Sequence, residues 1–160
     1  MSTQPPIRVL VADDHRLFAE TLGLTLEADP RLQVVGYARD GREAVKLALA
    51  LNPDVILMDL DMPLVDGLEA TRVIRKSLQA RVAVLTASPL PEDSLRARAA
   101  GAAAYLTKGC SAQEVVDAVL ELATPVDPRR KEVTRGERGV REAFAGLPHD
   151  PLQFRARLAH

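Results

Sequence analysis

Short apolar runs alternate with amphipathic segments along the first 124 residues of the chain. Each run has the length and the β-branched or aliphatic composition of a strand, and several are almost wholly apolar. A wholly apolar run is typical of a central parallel strand that is covered on both faces. The five runs are Ile7–Ala12, Val34–Ala38, Val55–Met58, Val82–Thr86 and Ala104–Thr107. This alternation predicts an α/β fold.

The segments between the runs carry helix signals. Leucines recur at helical spacing after Leu17, and Asp40 and Ser111 are each followed by Glu three residues later, which is the pattern of a capping box. Repeated strand and helix units with short connections predict a doubly wound parallel sheet. In such sheets the functional groups gather at the carboxyl ends of the strands.

Polar side chains stand at four of these predicted strand ends. Asp13 and Asp14 follow the first run, Asp59 follows the third, and the fourth and fifth end at Thr86 and just before Lys108. Because the carboxyl ends of parallel strands share one edge of the sheet, we expect these groups to converge there. Each also has an ordinary structural explanation. Asp13 and Asp14 could cap a helix, and Asp59 could be a turn residue. Thr86 could simply end a strand, and Lys108 could be a solvated charge.

Together these groups indicate one chemistry. Crowded carboxylates repel each other unless a cation neutralises them, and Mg²⁺ prefers one or two carboxylates with water and phosphate oxygens. A lysine and a hydroxyl can hold phosphoryl oxygens. A carboxylate nucleophile with Mg²⁺, Lys and Thr suits the formation of an aspartyl phosphate.

The chain resembles the receiver domain of bacterial two-component response regulators over about residues 6–124. It is most similar to the subfamily of nitrate-responsive and quorum-sensing-type regulators with helix-turn-helix outputs. The matching segments are VLVADDH (9–15), VILMDLDMPLVDGLEA (55–70), VLTAS (84–88) and GAAAYLTKG (101–109). The resemblance implies a flavodoxin-like sheet of strand order 2-1-3-4-5 with five flanking helices.

The resemblance also implies roles for individual residues. Asp59 would be the phosphoacceptor, with Lys108 pairing first with it and then with the phosphoryl group. Thr86 and the backbone N–H of Ala87 would hold phosphoryl oxygens, and Tyr105 with Thr86 would form the conformational switch. Mg²⁺ would be held by Asp13, Asp14, Asp59 and the backbone carbonyl of Asp61. The partners implied are a histidine kinase and, on phosphorylation, a second copy of the chain. Gly109 follows the lysine where many receivers have proline.

The last 36 residues differ in charge from the rest. Residues 1–124 carry 13 basic and 17 acidic side chains, net −4, whereas residues 125–160 carry 8 and 5, net +3. Pro125 and Pro128 suggest a linker at the boundary. We therefore expect a receiver domain over residues 6–124 and a linker with a basic tail, partly disordered or in short helices, over residues 125–160. Relatives of this subfamily usually end in a helix-turn-helix domain, of which this tail would be a truncated or degenerate piece. We expect no specific DNA binding from this chain alone.

The overall composition fits a cytoplasmic protein that is not an enzyme beyond its own phosphorylation and dephosphorylation. One cysteine, Cys110, suits a reducing compartment, and no apolar run reaches the 18 residues of a membrane span. Aromatic residues make up only 3% of the chain, which argues against an aromatic face for RNA.

Two alternative functions remain. One is a truncated DNA-binding transcriptional regulator. The other is a haloacid-dehalogenase-type phosphatase, suggested by Asp59 and Asp61 after an apolar strand. In those enzymes, however, the further acidic pair comes late in the chain.

Overall fold

A parallel sheet flanked by five helices makes up the fold, and the computed structural model describes residues 4–124 of it. The strands are β1 (Ile7–Ala12), β2 (Leu32–Ala38), β3 (Val55–Met58), β4 (Arg81–Thr86) and β5 (Ala104–Thr107). The helices are α1 (Arg16–Glu27), α2 (Gly41–Leu51), α3 (Gly67–Ser77), α4 (Pro91–Ala100) and α5 (Ala112–Ala123). The strand order is β2-β1-β3-β4-β5, which confirms the predicted doubly wound sheet. The tail expected over residues 125–160 lies outside the described residues.

Three strands have the bounds that the apolar pattern predicted, and two begin earlier. β2 begins at Leu32, where pairing with Ile7 extends the ladder. β4 begins at Arg81, which pairs with Val55 although its side chain is exposed. Both extensions come from backbone pairing with a neighbouring strand, which an apolar pattern does not record.

The apolar side chains form a core on each face of the sheet. α1 and α5 cover one face around Val11, Leu57 and Val119, while α2 and α3 cover the other around Ile56 and Ile74. Every residue of β3 is buried. The central strand is therefore fixed from both sides, and so is the position of the residue that follows it.

Helix starts follow the capping signals in the sequence. Ser111 and Glu114 form a complete capping box on α5, and the Asp40 carboxylate accepts the backbone N–H of Glu43 on α2. α4 begins at Pro91, a position that tolerates proline because its missing N–H has no partner in the helix. Within residues 4–124, none of the helices combines the length and the apolar character that crossing a membrane requires.

Candidate functional site

The polar groups predicted at the strand ends converge on one edge of the sheet. Asp13 and Asp59 are buried, with only 4% and 3% of their surface exposed. The Lys108 ammonium lies between them, 2.7 Å from Asp13 Oδ2 and 3.2 Å from Asp59 Oδ2. Since the described strands β1, β3 and β5 each deliver one of these groups, the cluster is a product of the parallel topology.

Lys108 is fixed at both ends of its side chain. Its backbone N–H donates to the carbonyl of Thr86 at 2.8 Å, which joins the ends of β4 and β5. Its ammonium lies 4.6 Å from the centre of the Phe18 ring on α1, a cation–π distance. The side chain is only 16% exposed, so the ordinary explanation of a solvated lysine is wrong.

Burial and charge shift the ionisation of this pair. Burial, followed by repulsion from Asp13, raises the pKa of Asp59 above its usual range, although Lys108 opposes the shift. Burial alone would lower the pKa of Lys108, but its hydrogen bond to Asp13 and the two carboxylate charges raise it overall. Asp59 is therefore a carboxylate whose ionised form is incompletely neutralised, and a further cation would stabilise it.

A divalent cation fits the donor atoms that surround Asp59. Asp13, Asp14, His15 and Asp59 each offer one ligand atom, and these four atoms lie within 4.8 Å of one another. Carboxylate oxygens are the hard donors that Mg²⁺ takes. Asp14 is exposed, so the cluster is open to solvent on one side. The three aspartates therefore suit the predicted magnesium site.

The explanation of Asp13 and Asp14 as a helix cap is wrong. The N-cap of α1 is His15, which makes no side-chain capping bond. Asp13 Oδ1 instead accepts the backbone N–H of His15 at 2.8 Å and remains within the cluster. Asp13 thus fixes the turn that leads from β1 into α1 while its other oxygen pairs with the lysine.

The other predicted residues, Thr86, Ala87 and Asp61, follow or end the strands β3 and β4 at the same edge of the sheet. Thr86 is fully buried, and its hydroxyl accepts the backbone N–H of Ser88 at 3.3 Å. Asp61 is exposed, and its backbone N–H lies 3.5 Å from Asp59 Oδ1. Ala87 is exposed beside Thr86. The Thr86 hydroxyl therefore stands at the end of β4, and Asp61 and Ala87 lie in the loops that follow β3 and β4.

Tyr105 lies inward. The residue is buried, and its hydroxyl donates to the carbonyl of Ser88 at 2.7 Å, in the loop that follows Thr86. The Ser88 hydroxyl bonds in turn to the Asp93 carboxylate at the start of α4. Tyr105 is thus connected through one loop residue to both Thr86 and α4.

The loop between β3 and α3 is shaped by close backbone packing. A Cβ on Gly67 would lie 2.0 Å from the carbonyl oxygen of Asp59, so only glycine allows this approach. The Gly67 N–H donates to the carbonyl of Leu60 at 3.1 Å, and Asp66 caps α3. Leu64, within the loop, takes a left-handed φ of 67°. The start of α3 therefore packs directly against the backbone of Asp59.

Sequence reasoning assigned no site role to His15, Phe18 or Ser88. The signal for His15 was its place next to two aspartates. Phe18 faces the lysine from α1, a contact between distant parts of the chain. Ser88 acts through its backbone carbonyl, a group that every residue has, so its side-chain type gives no signal in the sequence.

Comparisons with known proteins agree with this geometry. The family model of the response regulator receiver domain matches residues 9–120. The chain is 39% identical to the transcriptional regulatory protein LiaR of Bacillus subtilis, over 93% of this chain and 72% of that protein. It is 43% identical to the response regulator GacA of Pseudomonas aeruginosa, over 72% of this chain and 55% of that protein.

Solved structures give the same result. The fold is similar to the signal receiver domain of the putative response regulator NarL from Mycobacterium tuberculosis, with a TM-score of 0.73 and 38% identity. That match covers 75% of this chain and 98% of the other. The matched part of the chain spans a little over half the length of GacA.

Proposed function

This chain belongs to the response regulator receiver family of two-component signal transduction, and we propose that it accepts a phosphoryl group on Asp59. The observation that carries the proposal is the placement of a buried carboxylate at the end of the central strand, with Lys108 at 3.2 Å. Relatives in this family are response regulators, which are not enzymes in the usual sense. On this proposal the phosphatase alternative is set aside, because Asp13 and Lys108 complete the receiver set around Asp59.

The proposed reaction is a phosphoryl transfer. An oxygen of the Asp59 carboxylate attacks the phosphorus of a phosphohistidine on a histidine kinase. The new O–P bond forms as the P–N bond breaks, and the electron pair stays on the imidazole nitrogen. The Lys108 ammonium neutralises negative charge on the transferred oxygens, and the Thr86 hydroxyl and the backbone N–H of Ala87 donate hydrogen bonds to them. Asp59 needs no general base, because only its ionised form attacks.

The metal expected here is Mg²⁺, held by Asp13, Asp14 and Asp59 with the backbone carbonyl of Asp61. When bound it supplies positive charge to the carboxylates and the phosphoryl oxygens. The raised pKa of Asp59 supports this assignment, since that carboxylate is short of positive charge with Lys108 alone. We assign the reaction to the cytoplasm, where a kinase and Mg²⁺ are both available.

The switch that we propose couples Thr86 to Tyr105. Movement of the Thr86 hydroxyl toward the phosphoryl group would displace the loop that carries Ser88, because the Ser88 N–H donates to that hydroxyl. The Ser88 carbonyl accepts the Tyr105 hydroxyl, so Tyr105 would move with the loop. A phosphoryl group adds about −1.5 to −2 charge at neutral pH. The outcome is a shift between two populations of the loop, read by a partner or a second copy of the chain.

Mass spectrometry after incubation with acetyl phosphate and Mg²⁺ tests the proposal. The chain should gain the mass of one phosphoryl group, and Asp59→Asn should gain none. Asp61→Asn is the matched control, because it makes the same change at an exposed neighbour whose side chain we do not assign to the site. A full mass shift in Asp59→Asn would refute the phosphoacceptor assignment.

A second candidate function is transcriptional control, with residues 125–160 as part of an output region. The match to LiaR, named a transcriptional regulatory protein, takes in 93% of the chain. It therefore includes about 25 or more residues of this chain beyond residue 124. Eight basic side chains there could contact phosphates. Fluorescence anisotropy at physiological salt decides the point: submicromolar, sequence-dependent DNA binding by this chain would favour this function, and weak, salt-sensitive attraction would exclude it.

A further inference from the structure

A cleft of about 290 Å³ lies at the amino-terminal edge of the sheet, on the side opposite the carboxylate cluster. Three short stretches of the chain form its walls. They are residues 52–54 before β3, residues 79–81 at the start of β4, and residues 122–124 at the end of α5. None of these residues takes part in the proposed phosphorylation, so the cleft is separate from the site described above.

Hydrogen bonds hold the wall before β3 in place. Asn52 ends α2 with a left-handed φ of 47°, and its carbonyl accepts a hydrogen bond from the Arg8 guanidinium at 3.1 Å. The Asp54 carboxylate accepts the backbone N–H of Arg8 at 2.8 Å, and the Asp54 carbonyl accepts that of Arg81 at 3.0 Å. Because these bonds join the wall to β1 and β4, the shape of the cleft is preformed.

The chain continues from the rim of this cleft. Thr124, the last described residue, follows α5 with φ −71° and ψ 123°, an extended conformation close to polyproline II. Pro125 comes next, and the residue before a proline favours this conformation. Three residues span at most about 10 Å, so residues 125–127 lie within reach of the walls of the cleft.

The cleft and the residues that follow Thr124 carry complementary charges. Asp54 and Arg81 are exposed in the lining, and among residues 4–124 the Arg81 guanidinium forms no ion pair. Asp127 brings a carboxylate within reach of that guanidinium, and Arg129 brings a positive charge two residues later. The short segment therefore offers both charges that the cleft lacks.

The uncharged lining suits an extended segment that contains proline. Polyproline II has no internal hydrogen bonds, so its carbonyls need outside donors. Asn52 and Gln79 present side-chain amides that can donate to such carbonyls. Residues three apart share one side of a polyproline II helix, which puts Pro125 and Pro128 on the same side.

We propose that residues 125–128 of this chain, which we call the linker, lie in the cleft with the Asp127 carboxylate paired to the Arg81 guanidinium. The linker then fixes the point and the direction from which the basic tail leaves the domain. Because the cleft lies at the edge opposite Asp59, the docking leaves that residue accessible and needs no phosphoryl group.

Nuclear magnetic resonance relaxation of the whole chain, labelled with ¹⁵N and kept free of divalent ions, tests the docking. A rigid backbone gives order parameters of about 0.85, and a flexible one gives values below about 0.6. The amides of Val126 and Asp127 should lie in the rigid range at every protein concentration. Values below about 0.6 at both amides would refute the docking. Values that rise with concentration would assign the cleft to a second copy of the chain and would also refute docking within one chain.

Charge reversal tests the pairing of Asp127 with Arg81. Arg81→Glu should lower both order parameters toward 0.6, because it replaces attraction with repulsion, and Asp127→Arg should do the same. Exchanging the two charges in one variant should restore the wild-type values, as coupling between groups in contact requires. Arg42→Glu is the matched control, since it makes the same change at an exposed arginine of α2 outside the cleft and should alter neither value.

Two results would overturn the proposed pairing. One is an equal effect of Arg81→Glu and Arg42→Glu on the linker amides. The other is a charge exchange whose order parameters stay as low as those of either single variant. Circular dichroism checks that each variant is folded, and the exposed side chain of Arg81 makes its replacement well tolerated.

Discussion

The buried carboxylate of Asp59, the proposed phosphoacceptor, opposes the stability of the fold around it. Its carboxylate is buried beside Asp13, and its pKa is raised, so ionisation at neutral pH is more costly in the folded chain than in the unfolded one. Asn has nearly the same shape and no charge. We therefore expect Asp59→Asn to increase the free energy of unfolding at pH 7 without divalent ions, by roughly 1 kcal/mol, within the range of single stabilising substitutions.

The pH dependence of that gain follows from the direction of the shift. A carboxyl group whose folded-state pKa is raised contributes less stability as the pH rises through that range, and its penalty disappears once it is protonated. The advantage of Asp59→Asn should thus shrink between pH 7 and the ordinary Asp pKa of about 4. Urea unfolding at several pH values measures it, and a gain that grows on acidification would contradict the argument.

Lys108 makes the opposite contribution. It is the partner of both buried carboxylates in the described structure, at 2.7 and 3.2 Å. Removing one member of a buried ion pair leaves uncompensated charge and typically costs about 3–5 kcal/mol. We expect Lys108→Gln to destabilise the chain by about 3 kcal/mol, toward the lower limit because the site is open to solvent at Asp14.

A double-mutant cycle separates this charge effect from lost packing against Phe18. Asp59→Asn in the Lys108→Gln background removes one of the two orphaned charges, so it should restore more stability than it adds to the wild-type chain. Strictly additive free energies of unfolding would mean that the two side chains do not interact energetically.

At the scale of the elements, the contact between α3 and the end of β3 controls the position of Asp59. A Cβ on Gly67 would lie 2.0 Å from the Asp59 carbonyl oxygen, so backbone would have to move. We expect Gly67→Ala to cost about 1–3 kcal/mol, as overpacking does, and to slow phosphorylation by acetyl phosphate.

Gly109 provides the control for that substitution. It also lies in a loop at this edge of the sheet, directly after Lys108, but a Cβ there would meet nothing within 4 Å. Gly109→Ala should be close to neutral in both urea unfolding and phosphorylation. Equal effects of the two alanines would show that the close approach at Gly67 does not position Asp59.

The same elements show what sequence patterns could and could not provide. The apolar runs placed β3 and the polar residue after it, because a strand buried on both faces leaves a distinct composition. The convergence of Asp13, Asp59 and Lys108 followed from the rule that parallel strands end at one edge. The partner of the Tyr105 hydroxyl did not follow, since it is a backbone carbonyl. The earlier start of β4 at the exposed Arg81 was missed because pairing decides it.

At the scale of the whole molecule, α1 exposes an apolar face on which we propose that two copies of the chain associate. Leu17 and Leu24 on α1 are 79% and 74% exposed and stand seven residues apart, which puts them on one face of the helix. α5 instead turns most of its large apolar side chains inward, with Val115, Val116, Val119 and Leu122 buried. The structure therefore favours α1.

We expect phosphorylation to promote dimerisation through this face of α1. Beryllofluoride with Mg²⁺ imitates the phosphoryl group, and it should shift the chain from monomer toward dimer in sedimentation velocity at tens of micromolar. Leu24→Glu places a charge in the proposed contact and should keep the chain monomeric. Leu49→Glu, at a half-exposed leucine on α2, is the matched control and should still dimerise. An effect on folding would alter both variants, so the control separates it from an effect on the contact. Dimerisation by Leu24→Glu would exclude this face. Identical monomer profiles of the wild-type chain with and without beryllofluoride would exclude phosphorylation-dependent dimerisation altogether.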